Sequence, residues 1–340
     1  MEVLETTARR KSQQKLFNVL TEQVGEAQYG EWLQAIDGLT KILKDDEGVV
    51  SFLEATAELL HRVISRDIGP YAPIKLSGTS DEEMRRILPP RVHLLGYVGS
   101  IAHGTYIPST DPDSIDDKDI MGVAVGPIRD YLCLYPGGPE IERFDEKRVQ
   151  RGEWDSVTYE VRKFFFLLMK QNPNVVSLLW LNHQNYIYVS EMGQRILDNR
   201  ELFVSKAMYH SFIGYAKGQF HRMTHMDFQG YMGKKRKELV ERYGFDVKNA
   251  SHTIRLLRMV VEALGDGVMR VYREDNQELK AIKTGEWSLE KVTEESDRLF
   301  KLAEEAYVRS PLPPRPDRHA AEALLTDILR EEFLNAETDT

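Results

Sequence analysis

The chain holds a single cysteine in 340 residues, Cys133, so no internal disulfide is open to it. Cys133 lies in the apolar run "YLCLY", where a buried structural thiol is the expected reading. No apolar run approaches the roughly 18 residues needed to span a bilayer. The stretch "MEVLETTARRKSQQKL" has neither the apolar core nor the cleavage site of a signal peptide, so a cytoplasmic protein with no membrane partner is expected. Three catalytic signatures are missing: the P-loop GxxxxGK with its Ser or Thr, the dinucleotide fingerprint GxGxxG, and the Gly-x-Ser-x-Gly elbow of acyl transfer. An excess of positive charge is missing too. The net charge of −9 excludes a uniformly basic nucleic-acid coat.

What is present is enough to bury a core: 41% of residues are hydrophobic and 29% charged, which excludes a low-complexity chain. At this length about two domains with a cleft between them are expected. Apolar residues at three- and four-residue spacing predict helices over the first eighty residues, giving a helical extension at 1–84. "RVHLLGYVGS" then reads as a short buried strand running into a turn. "DDKDIMGVAVGP" reads as a second strand, because Ile120, Val123 and Val125 are β-formers and Gly126-Pro127 stops them. "EWDSVTYEVRKFFFLLMKQNPNVVSLLWL" passes from extended chain into an apolar helix that Pro173 interrupts. A mixed α/β core is therefore placed at 85–185. The helical patterns that follow, with Gly265 as a stop signal after "NASHTIRLLRMVVEAL", place a helical domain at 186–340.

Charge is uneven along that last region. Between Lys206 and Arg258 the only acids are Asp227, Glu238, Glu241 and Asp246, so an anionic ligand can be met locally. "GKKRKELVERYG", beside Tyr231 and Tyr243, is either a solvated face or a contact for nucleic-acid backbone. His221 and His225 stand one helical turn apart, a zinc spacing, but no HExxH glutamate or cysteine cluster accompanies them.

The acids carry the sharper signal. Gly99-Ser100 follows the first strand directly, and small residues there let backbone amides and a hydroxyl approach phosphate oxygens. Asp117 and Asp119 open the second strand two residues apart, so their carboxylates share a face and are costly to hold together without a cation. Mg²⁺ takes such oxygen ligands together with substrate phosphates. Asp111, Asp113 and Asp116 read as a solvated acidic loop. A third carboxylate is sought in "EWDSVTYEVRKF", where strand-borne Asp155 is favoured over Glu160, which suits a first helical turn. On the helix "KNASHTIRLLR", Lys248, His252 and Arg255 share a face. It is either a solvated basic face or a phosphate clamp.

A small-residue turn, a gap, a D-x-D pair on a strand and a later acid together resemble the nucleotidyltransferase superfamily of DNA polymerase beta. "GSIAHGTYIPSTDPDSIDDKDIMGV" with "WDSVTYEVRKFFFLLMKQNPNVVSLLWL" resembles the predicted nucleotidyltransferases associated with RNA repair. The resemblance continues through "LKAIKTGEWSLEKV" and "SPLPPRPD", covering roughly residues 90–330. The gap is usually shorter in that family, which implies an enlarged loop here. The resemblance implies an α+β fold with a palm-like mixed sheet, flanking helices and a helical substrate-side domain. It also implies two divalent ions, Mg²⁺ or Mn²⁺, between Asp117, Asp119, Asp155 and a nucleoside triphosphate such as ATP. Gly99, Ser100, Lys248, His252 and Arg255 would hold that nucleotide. The activity implied is transfer of a nucleoside monophosphate to an RNA 3′ end with release of pyrophosphate. The alternatives are transfer of AMP to a partner protein and an inactive RNA-binding module.

Overall fold

The computed structural model describes residues 91–112, 114–132, 144–151, 154–225 and 233–338, all within one compact unit. The helices expected over 1–84, Cys133 and Asp113 lie outside the described residues.

The first strand, β1 (Val92–Tyr97), is apolar almost throughout because both its edges are paired and both its faces are covered. A four-residue helical turn, α1 (Gly99–Ala102), follows it. The next elements are β2 (Lys118–Ala124), the short α2 (Arg129–Leu132), β3 (Glu146–Arg151) and β4 (Trp154–Glu160). The sheet has five strands in the order β3-β4-β2-β1-β5 and is mixed. β2 and β4 run parallel, while β1 pairs antiparallel with β2 and β3 pairs antiparallel with β4. Its last strand, β5 (Tyr186–Val189), pairs antiparallel with β1. The sheet thus runs on past residue 185, and four residues of strand are too few for their alternation to stand out in a sequence.

Strand phase divides the apolar residues between two faces. Leu94, Met121, Val123 and Tyr159 join a large cluster with Phe164, Phe165 and Leu168 of α3 (Val161–Met169). Leu95, Ile120 and Ala124 form a small cluster on the opposite face, edged by Tyr97 and Trp154. Helix α3 ends four residues before Pro173, which opens α4 (Pro173–Leu178) at its first turn under an Asn172 cap.

Helices make up the rest: α5 (Glu191–Asp198), α6 (Met208–His225), α7 (Lys234–Tyr243) and α8 (Val247–Asp266), then α9 (Asn276–Lys283), α10 (Leu289–Arg309) and α11 (Arg318–Thr338). Helix α8 is the axis of this part, with α6 and α10 packed on it. It does not stop at Gly265. The chain continues to Gly267, which takes a left-handed φ of 78° and donates its amide to the Ala263 carbonyl, closing the helix. The large apolar cluster reaches from Leu94 to Ile328, so sheet and helices share one core. Among the described residues no helix is long and apolar enough to cross a membrane.

Candidate active site

The end of β1 and the starts of β2 and β4 lie side by side, and the acids converge there. Asp119 and Asp155 are direct partners in the parallel register, on strands that stand about 4.8 Å apart in any sheet. Their strand phase turns both toward the helix-covered face shared by Met121 and Tyr159. Asp117 precedes β2 by one residue and is exposed, while Asp119 is half-buried. Burial pushes the Asp119 carboxyl up to about 7; Lys248 opposes this, and Asp117, Asp155 and Asp116 add to it by charge repulsion.

Gly99 folds the chain directly over this acid. Its φ is +60°, and a Cβ built on it would come within 2.0 Å of Asp119 Oδ2. Left-handed backbone and close approach thus both require glycine. Gly99→Ala is expected to lower the unfolding free energy by about 1–3 kcal/mol, read as a lower urea midpoint. An unchanged midpoint would mean that the carboxylate can swing clear. The turn itself is tied by Thr105 N–H to the Ser100 carbonyl (2.9 Å) and His103 N–H to the Gly99 carbonyl (3.2 Å). Ser100 Oγ is buried and has no hydrogen-bond partner among the described residues.

Asp116 is not part of a solvated loop, as its neighbours Asp111 and Asp117 would suggest. It is 8% exposed, pairs with buried Lys283 of α9, and accepts a hydrogen bond from the Ile107 amide (2.9 Å). Lys283 also donates to the Thr105 carbonyl (3.2 Å). Lys248 donates to the Ile115 carbonyl (2.9 Å) and stands 4.0 Å from Asp116. The enlarged loop between turn and acids is therefore anchored at both ends to the helical part. Sequence reasoning missed Lys283, although a signal exists. Leu279, Ile282 and Lys283 fall on one face of α9, which puts a lysine on an apolar stripe.

The face of α8 bearing Lys248, His252 and Arg255 is turned inward, not solvated. Arg255 is 9% exposed and, among the described residues, pairs with no carboxylate; its closest polar contact is Met259 Sδ at 3.2 Å. Burial, then Arg273, brings its guanidinium down to about 9. His252 Nε2 is buried without a partner among the described residues. His103, whose Nδ1 bonds the Val271 carbonyl (2.8 Å), is buried too. Burial first, then the Arg255 charge, holds both imidazoles well below the usual histidine range. Cationic and polar groups buried without partners are costly, and an anion is the kind of ligand that would offset the cost.

A pH dependence follows. In the folded state His252 stays neutral, whereas unfolded it takes a proton near pH 6.5, so folding loses stability as pH falls below that value. The stability advantage of the wild type over His252→Asn should shrink by about 1 kcal/mol from pH 7.5 to 5.5. Urea titrations at the two pH values give this difference directly. A difference independent of pH would mean that the imidazole protonates inside the fold.

Glu160 has a structural place. It is buried, caps α3 by accepting from the Arg162 and Lys163 amides (3.0 and 3.2 Å), and accepts from the Tyr131 hydroxyl. His221 is exposed, and the side chain of His225 lies outside the described residues. In the run over α7, Arg236 pairs with Asp246, while Lys234, Lys235 and Lys237 are exposed.

The acids fit a hard divalent cation. Asp119 is crowded by carboxylates and starved of solvent, which a cation relieves. Among the described residues no group of three His, Cys, Asp or Glu side chains stands placed to hold a metal ion by itself. The Asp119 and Asp155 pair suits Mg²⁺ or Mn²⁺, which bind through one or two carboxylates and complete their shell with water and phosphate, better than structural zinc.

Comparison with known proteins agrees with this geometry. A search of curated proteins finds no match. The model of RlaP, the RNA repair pathway DNA polymerase beta family, matches residues 78–295, which take in every described strand and the helices through α9 and the start of α10. The mixed sheet with flanking helices is the α+β architecture expected of that superfamily. The chain therefore belongs to the RNA repair pathway DNA polymerase beta family and is a nucleotidyltransferase enzyme.

Proposed function

We propose that this enzyme transfers a nucleoside monophosphate from an NTP to a hydroxyl at the 3′ end of an RNA. The hydroxyl oxygen bonds to the α-phosphorus and its proton leaves to water. The bond between the α-phosphorus and the bridging oxygen breaks, and its electron pair departs on pyrophosphate. One observation carries the reading: Asp119 and Asp155 stand in register beneath a glycine turn that folds onto Asp119. Asp117, Asp119 and Asp155 would hold Mg²⁺ or Mn²⁺, which when bound lowers the pKa of an attacking hydroxyl and screens charge on the leaving group.

The other residues have distinct tasks. Gly99 leaves room for the Asp119 carboxylate against the turn, and the Ser100 hydroxyl, without a partner among the described residues, is free to donate to a phosphate oxygen. Lys248 faces Asp119 from α8; with Arg255 on the same helix face it would supply the charge to orient a triphosphate, and neutral His252 would donate a hydrogen bond. RNA as acceptor draws support from the family's RNA-repair description and from the exposed lysines of α7.

The test is a transfer assay with each labelled NTP and two RNAs that differ only in a free or blocked 3′ hydroxyl. Label confined to the free-ended RNA is expected. Label on protein instead of RNA would replace the acceptor, and no label in any arm would sink the reading.

A further inference from the structure

A cavity of about 640 Å³ lies outside the acid cluster. The segment between α4 and β5 gives it Trp180 and Asn182, and the segment between α8 and α9 gives it Tyr272 and its neighbours. It shares a wall with the glycine turn. A Cβ on Gly104 would come within 2.8 Å of the Tyr272 ring. The Arg273 amide donates to the His103 carbonyl (3.3 Å), and His103 bonds Val271. In the sheet order the acids stand on β2 and β4, while β5, entered from Trp180 and Asn182, lies on the other side of β1. The turn after β1 thus separates the two.

Three of the four guanidinium groups lining this cavity are already paired with carboxylates; the fourth, Arg200, lies over the Trp180 ring. Arg258 meets Asp275, Glu278 and Glu295; Arg273 meets Glu262 and Asp275; Arg270 meets Asp266. A phosphate would find these three guanidinium groups occupied, so a neutral, planar group suits the cavity better than a cluster of phosphates. Trp180 presents an aromatic body with the Arg200 guanidinium 4.2 Å from its ring centroid. Its Nε1 is buried and has no partner among the described residues, although a buried indole N–H ordinarily finds an acceptor. Tyr272 leaves 43% of its surface exposed for stacking. A volume of this size is in the range that holds a nucleotide-sized ligand.

We propose that this cavity is a nucleobase subsite, with Tyr272 as stacking partner, Trp180 Nε1 as donor to a base acceptor, and the Asn182 amide at the base edge. The proposal rests on the nucleotide-transfer reading of the adjacent acids. The base comes either from the NTP or from the terminal nucleotide of the RNA, and both present the same chemistry.

Intrinsic tryptophan fluorescence tests it on the full chain. ATP, UTP, a short oligoribonucleotide and base-free tripolyphosphate are titrated in turn. A saturable quench by nucleotide or oligonucleotide, absent with tripolyphosphate and lost in Trp180→Phe, is expected. A quench by ATP or UTP assigns the NTP base; a quench by the oligonucleotide alone assigns the RNA end. Tyr272→Ala should weaken the quenching ligand about 5- to 100-fold. Asn182→Ala, at an exposed position, serves as a second variant should Tyr272→Ala fail to fold. Equal quenching by tripolyphosphate, or unchanged affinity in the folded variants, overturns the subsite. Label transfer in the wild type with unaltered base affinity in the variants would remove the subsite alone. Base binding without any label transfer would remove the transfer reading and leave the subsite.

Discussion

Replacing Asp119 by Asn should make the metal-free protein more stable and the enzyme inactive. The folded-state carboxyl titrates near 7 because of burial and three neighbouring acids, against about 3.8 when unfolded. A raised folded pKa means that the folded state keeps a proton that the unfolded state releases. Stability is therefore full below about pH 4 and falls as pH rises through 7. At pH 8 in EDTA the Asn variant should gain about 2–4 kcal/mol, a shift of about three pKa units being the upper bound. The gain should vanish near pH 4. Label transfer at saturating NTP should fall on the order of 10³-fold or more, because the removed charge is one the reaction needs. Such a trade of stability for activity marks a functional site. A variant that is less stable at pH 8, or that still transfers label, would show Asp119 to be an ordinary structural acid.

Lys283→Met should unfold the protein more readily than any change on the exposed face of α9. It leaves the buried Asp116 charge with only Lys248, 4.0 Å away, to offset it, a loss of up to about 3–5 kcal/mol that should lower Tm by roughly 10 °C in a unit of this size. The double variant Lys283→Met with Asp116→Leu removes both charges and should recover most of the loss, since a buried pair is often replaceable by apolar residues. Calorimetry of the two single variants and the double variant separates the pair's coupling from mere packing. Failure of the double variant to recover would mean that the hydrogen bonds to Ile107 and Thr105 matter more than the charge pairing.

The parts legible in the sequence were those governed by local rules. A short apolar run before a turn marked β1, β-forming residues before Gly126-Pro127 marked β2, and Pro173 marked the break between α3 and α4, because side-chain preference and ring sterics act within a few residues. The family was legible because its motifs recur in order along the chain, and the matched family model agrees with that reading. Helix ends were legible only to within a residue or two: Gly265 and Gly267 are both glycines, and only the left-handed turn at 267 tells them apart.

The sequence by itself determined that Asp117 and Asp119 are two residues apart at the mouth of an apolar strand, and that a small-residue turn precedes them. Pairing across the sheet decided the rest. The parallel register of β2 with β4 brings Asp155 beside Asp119, and the packing of α8 between α6 and α10 turns the face with Lys248, His252 and Arg255 inward. Asp116 and Lys283 are 167 residues apart. Their charges are buried together because a loop and a helix close the same space, and no local pattern carries such a contact. Whether an acid is solvated or buried is set by what packs over it, and only the folded chain supplies that cover.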